Sequence, residues 1–224
     1  MFHVKRIAFT FIALFFYANS FGQGSVTFTD KPFLFTIEKD SAILSFLSKQ
    51  TAYTELNTEE KELLYWLNFV RQNPGEFNDK VLFPFLKQFP ELKSSYTKSL
   101  AIALNQMQPI GLLQSSTRLN QLAFNHAKDL GSKGFSISHS SSSGESFRQR
   151  MENAGLSNCV SENIYEGKLN ALETVILLLI DKGVKNLGHR KNILDPSVRF
   201  VGISFYPIKN RSPYYFSVQD FTCE

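Results

Sequence analysis

The sequence predicts one globular domain of mixed α and β structure. Three observations carry this. Asn57-Thr58-Glu59-Glu60 and Asn170-Ala171-Leu172-Glu173 both read as helix-starting capping boxes, each running into apolar residues. Residues 199–206 and 214–221 alternate apolar and polar side chains on either side of a proline-bounded connector, which predicts an antiparallel hairpin. Composition agrees: 43% of residues are hydrophobic and 20% charged, a globular balance rather than a disordered one.

Residues 1–22 read as a secretory signal. Lys5 and Arg6 form a basic start, residues 7–17 an apolar stretch, and Ser20-Phe21-Gly22 a small-residue cleavage site ahead of Gln23. A membrane anchor is the competing reading, but the apolar stretch falls short of the ~20 residues a spanning helix needs. Cleavage removes two basic residues and no acidic one, so the net charge of +4 falls by two. So mild a balance, with no basic stripe interleaved with aromatics, gives no case for a nucleic-acid partner. The chain is expected to be secreted or periplasmic, with no membrane span after cleavage.

Residues 23–56 form an N-terminal extension, and residues 57–224 the domain proper. Within the extension, residues 26–37 alternate around Pro32 and fit either a strand or an extended arm, and residues 42–47 fit a turn or two of helix. The first firm helix begins at the Asn57 cap, with Leu63, Leu64, Trp66, Leu67 and Val70 on one face, and stops at Asn73-Pro74. Trp66 is expected in the core rather than in a binding site. The aromatic stretch 77–96, interrupted by Pro84 and Pro90, reads as short helices and turns, and residues 99–107 as another short helix. A helix capped by Ser115 or Ser116 presents Leu119, Leu122, Ala123, His126, Ala127 and Leu130, with Gly131 where a left-handed cap would fall. His126 shares that apolar stripe, so it is read as a packed histidine bonded to a backbone carbonyl; a site imidazole is the alternative. A serine-rich loop around His139 and a short helix over residues 147–153 lead to Ser161-Glu162-Asn163-Ile164-Tyr165, a strand carrying a carboxylate. The helix after Asn170 is apolar nearly all round and should be buried on several sides. Gly188 is read as the residue that frees the turn into His189. Cys159 and Cys223, an even pair in an exported chain, fit a disulfide or two free buried thiols.

The order His139-Ser140, then Glu162-Asn163-Ile164, then Gly188-His189-Arg190-Lys191-Asn192-Ile193 resembles the bacterial branch of the CAP superfamily, also called SCP/PR-1-like. The resemblance runs from about Leu63 to Phe221 and includes the first helix, Leu67 to Pro74, and the last strand, Tyr214 to Phe221. It implies an α+β fold, a three-layer α-β-α sandwich around a small antiparallel sheet. It also implies a polar cavity walled by His139, Glu162 and His189, which in some members holds a divalent metal. Two imidazoles and a carboxylate suit Zn²⁺ or a similar ion with water in an open position. The last strand departs from eukaryotic relatives by offering Tyr214, Tyr215 and Gln219 and no histidine. Glu166 and Asp181 are candidate extra carboxylates, each more readily explained as a solvated charge at the end of an element.

These residues point to an exported binding module for a small-molecule, lipid or peptide ligand, with His139, Glu162 and His189 as ligand-binding residues and tentative metal ligands. One alternative is a metal-assisted, peptidase-like hydrolase with Glu162 as general base; another is a lipid or sterol binder fed by the many phenylalanines. The helical H-E-x-x-H pattern and the G-x-S-x-G elbow are both absent from the sequence.

Overall fold

The computed structural model describes residue 33 and residues 35–224. The expected signal segment, 1–22, and residues 26–32 and 34 of the alternating stretch lie outside the described residues. The elements in chain order are helices α1 (Ser41–Ser48), α2 (Thr51–Thr54), α3 (Thr58–Gln72) and α4 (Pro74–Phe77), a π-helical turn (Asn78–Leu82), α5 (Phe83–Gln88), a 3-10 turn (Pro90–Leu92) and α6 (Ser95–Gln106). Then follow β1 (Gln114–Ser115), α7 (Thr117–Lys133), α8 (Phe147–Asn153), β2 (Ser161–Lys168), α9 (Ala171–Ile180), α10 (Gly188–Leu194), β3 (Phe200–Pro207) and β4 (Tyr214–Thr222).

The sheet runs β1-β3-β4-β2. β3 and β4 form the expected antiparallel hairpin, and β2 pairs antiparallel with β4, Glu162 opposite Asp220. β1 is an addition to the sequence reading: a two-residue parallel strand on β3, too short to leave a periodic signal. Beyond it the β3 edge would be bare. Asn120 Oδ1 accepts the Ile203 amide at 3.1 Å and Glu60 Oε1 the Phe205 amide at 3.2 Å, so side chains close it.

Alternation along the strands builds three layers. Ile164, Phe216 and Val218 face Ala123, Ala127 and Leu130 of α7. Val201, Ile203, Phe205 and Phe221 face the other way, into the main core with α3 and α9. This is the α-β-α sandwich the resemblance implies. The α7 layer sits very close to the sheet: a Cβ on Gly202 would lie 2.0 Å from the Leu119 carbonyl carbon, and one on Gly131 2.6 Å from the Pro207 carbonyl oxygen. Gly131 is therefore a contact residue inside α7, not its cap. Gly134, at φ +68°, takes the left-handed position instead.

Asn57 and Glu60 make the expected capping box. At α9 the box is half formed: Asn170 accepts the Glu173 amide, while the Glu173 carboxylate takes the Phe33 backbone amide. That bond helps hold the N-terminal arm, whose Phe33, Phe35 and Ile37 pack on the main core. Phe33 meets Phe85 edge-on at 5.1 Å and Phe35 meets Trp66 at 5.7 Å. The described part of the stretch 26–37 is thus an arm, not a strand. Cys159 and Cys223 are disulfide-bonded and join the start of β2 to the end of β4. Among the described residues no helix is long and apolar enough to cross a membrane.

Candidate functional site

Glu162 is the first inward-facing residue of β2, and its side chain is fully buried on the α7 side of the sheet. Its carboxylate gathers its partners from four elements. His139, in the serine-rich loop, donates from Nδ1 to Oε1 at 2.7 Å. Arg150, on α8, donates from a terminal nitrogen to Oε2 at 2.6 Å, a charge-assisted bond. His126, on α7, brings Nε2 to 3.8 Å from Oε2. Asp220 faces Glu162 across the β2–β4 pairing.

The sequence explains each placement. Ser146 caps α8 through a capping box with Gln149, which sets Arg150 one turn into the helix. The other terminal nitrogen of Arg150 donates to the carbonyls of His139, at 2.9 Å, and Glu145, at 3.4 Å. One guanidinium therefore fixes both the carboxylate and the loop that carries the imidazole. Ser142 donates twice to Asp129 of α7 and pins the far side of that loop. The His139 side chain remains 43% exposed, while Glu162 is sealed behind it.

Electrostatics sort the protons. Burial first, and then the negative charge of Glu162, push the Asp220 carboxyl well above the ordinary carboxylate range. Neither Asp220 oxygen meets another hydrogen-bond partner among the described residues. Asp220 is thereby biased toward its protonated form, beside a Glu162 carboxyl that the Arg150 guanidinium bonds. Burial lowers the pKa of His126, with Glu162 opposing and Arg150 assisting. Its Nε2 donates to the Ser138 carbonyl at 2.8 Å. His126 is therefore carbonyl-bonded, as the sequence suggests, but it is fully buried and stands beside Glu162.

His189 has a different partner. Its Nδ1 donates to Asp181 Oδ1 at 2.7 Å, and the Arg190 amide reaches Asp181 Oδ2 at 3.3 Å. Asp181 is buried at the left-handed end of α9, so it is not the solvated end charge its position suggested. The turn into α10 is made by Leu187, at φ 53°, while Gly188 is the first helical residue. The rest of Gly-His-Arg-x-Asn-Ile is structural. Arg190 donates to the Leu179 and Ile180 carbonyls at the end of α9 and to Tyr96 and Ser99 on α6. Asn192 donates to Asn163 Oδ1 at 2.8 Å, and Asn163 donates to the His189 carbonyl at 3.3 Å. Asn163 alternates with Glu162 along β2, so the strand holds the His139 pair through one side chain and the α10 segment through the next.

The structure thus brings His139 onto Glu162 and seats His189 on Asp181. Among the described residues no group of three or more His, Cys, Asp or Glu is placed to hold a metal ion. The donor set around Glu162 does not suit one either. Both carboxylate oxygens are engaged, one of them by a guanidinium at 2.6 Å. A divalent ion about 4 Å from that unit charge would be repelled by about 8 kcal/mol at an effective dielectric near 20. Arg150 and Asp220 are the members the sequence reading missed. Asp220 left one signal: it is an acid on the strand face that Phe216 and Val218 make apolar.

The sequence model of the CAP family, described as the cysteine-rich secretory protein family, matches residues 70–221. The chain belongs to the CAP family. Solved structures similar to it include an extracellular SCP-domain protein from Bacillus anthracis str. Ames, 18% identical over 60% of this chain and 40% of that one, with a TM-score of 0.42. This chain therefore spans well under half the length of that relative. An outer surface protein from Borrelia burgdorferi is 19% identical over 61% of this chain and 92% of its own, with a TM-score of 0.41. A cysteine-rich secretory protein from Staphylococcus aureus subsp. aureus Mu50 is 14% identical over 60% of this chain and 38% of its own, with a TM-score of 0.33. No curated protein matches the sequence.

Proposed function

We propose that this CAP domain is an exported binding module whose centre is the His139–Glu162 pair. The observation that carries the reading is the asymmetry of that pair. A sealed carboxylate holds Nδ1 at 2.7 Å, and the imidazole above it is 43% exposed. A carboxylate accepts only, so the proton of a neutral ring sits on Nδ1 and Nε2 is left as an acceptor. The ligand class is a small polar molecule or peptide that presents a hydroxyl or amide N–H to Nε2. Export is supported by the signal-like anatomy of residues 1–22 and by the Cys159–Cys223 disulfide, since such bonds persist in oxidising compartments.

The same pair favours a second reading, a hydrolase. A carboxylate that orients Nδ1 prepares Nε2 as a general base, which would make His139 the base and Glu162 its positioning residue. This differs from the sequence expectation of Glu162 as base, because both Glu162 oxygens are already engaged.

One experiment separates the two. The purified protein is screened against a peptide library and soluble cell-wall fragments, by thermal shift for binding and by mass spectrometry for turnover. The binding reading predicts a hit that His139→Ala abolishes while circular dichroism is unchanged, with no product formed. Product that disappears in the same variant selects the hydrolase. A hit that survives His139→Ala places the binding site elsewhere and rejects both.

A further inference from the structure

We propose that Arg150 is a built-in cation that sets the ligand class of the site: its guanidinium takes the cation position at Glu162, so the domain accepts neutral polar groups at His139 and rejects divalent metal ions. The inference rests on the His139–Glu162 reading above and goes further by naming a residue that selects ligands.

Three observations carry it. Arg150 is buried and bonds Glu162 Oε2 at 2.6 Å, closer than any imidazole approaches that oxygen. Its other terminal nitrogen holds the His139 and Glu145 carbonyls, so the guanidinium cannot swing away without releasing the loop. The remaining groups around Glu162 are of the types a metal would use: His139 and His126, and Asp220, which faces Glu162 across the strand pairing. Imidazoles and carboxylates are the donor types zinc takes. No three of these residues are placed to hold an ion as they stand among the described residues, and removing the guanidinium removes the charge that opposes their closing on one. With it in place, the Glu162 carboxyl faces one fixed positive charge at 2.6 Å. An uncharged ligand disturbs none of this, whereas a divalent ion has to break the Arg150 bond, the His139 bond or both.

The test titrates zinc chloride into the wild-type protein, Arg150→Met, Arg150→Lys and Glu162→Gln. Calorimetry is combined with elemental analysis after gel filtration, and circular dichroism checks the fold. Wild type is expected to carry no stoichiometric zinc, and Arg150→Lys, which keeps the charge, to behave likewise. Arg150→Met should gain zinc affinity by at least about tenfold, the scale on which partners of metal ligands act. Adding Glu162→Gln to Arg150→Met should remove that gain. Stoichiometric zinc on wild type that Glu162→Gln abolishes overturns the proposal, as does a folded Arg150→Met with no gain. Should Arg150→Met fail to fold, wild type and Arg150→Lys still decide, because zinc bound at Glu162 by either refutes the exclusion. Zinc needs no native ligand, so an empty ligand screen would count against the binding reading and leave this result standing.

Discussion

Replacing Arg71 with methionine should weaken the fold by about 2–4 kcal/mol. Arg71 is fully buried, and its guanidinium donates to the carbonyls of Gly111 at 2.8 Å, Ile193 at 2.8 Å, Asp195 at 2.9 Å and Val198 at 3.0 Å. These carbonyls lie in the connector before β1, at the end of α10 and in the turn into β3, so one side chain gathers the segments behind the site. At about 1 kcal/mol for each bond, with the acceptors left unmade, the loss would be about 4 kcal/mol. An opposing effect reduces it. Burial pushes the Arg71 pKa down to about 10, so the folded state holds this charge at a cost that methionine does not bear. A net loss of about 2–4 kcal/mol corresponds to a fall in Tm of about 5–15 °C for a domain of this size. Urea unfolding followed by the fluorescence of Trp66, the single tryptophan, measures it directly. A midpoint within error of wild type, at unchanged slope, would mean that the four carbonyls find other donors and that Arg71 does not clamp these segments.

Two further outcomes follow from the structure. In Asp220→Asn the proton that folded Asp220 retains is no longer needed. Wild type loses stability from this group as pH rises above 3.8, the unfolded value, until the raised folded value is reached. The variant should therefore gain on wild type by up to about 1.4 kcal/mol per pH unit across that window, read from urea midpoints at stepped pH; a pH-independent difference would show that Asp220 is ionised in the fold. Reducing the Cys159–Cys223 bond, whose cysteines are 64 residues apart, should cost about 4 kcal/mol by the chain-entropy account, seen as a lower urea midpoint in reductant that Cys159→Ala/Cys223→Ala reproduces without it.

Much of the scaffold was legible because its signals are local. Asn57 and Glu60 announce α3 through a cap that the fold forms, and the alternating residues of β3 and β4 announce the hairpin. What failed depended on contacts between separate elements, which local pattern does not encode. Gly131 looks like a helix stop, yet its missing side chain makes room for Pro207 across the layer interface. Asp181 looks solvated at the end of an apolar helix, but α10 folds back to give it His189 and the Arg190 amide. The site divides in the same way. His139 sits in a loop whose composition suggests only exposure, and the family resemblance, not spacing, marked it out. Arg150 reads as one charge on a short amphipathic helix, and only the fold turns it onto Glu162.

The binding chemistry of the His139–Glu162 pair depends on where the His139 proton sits. Long-range ¹H–¹⁵N NMR of the imidazole, at a pH where the ring is neutral, reports it directly. The structure predicts the Nδ1–H form in wild type, with Nε2 unprotonated, and a loss of that preference in Glu162→Ala. A wild-type ring protonated on Nε2, or one indifferent to the loss of Glu162, would mean that Glu162 does not orient the imidazole.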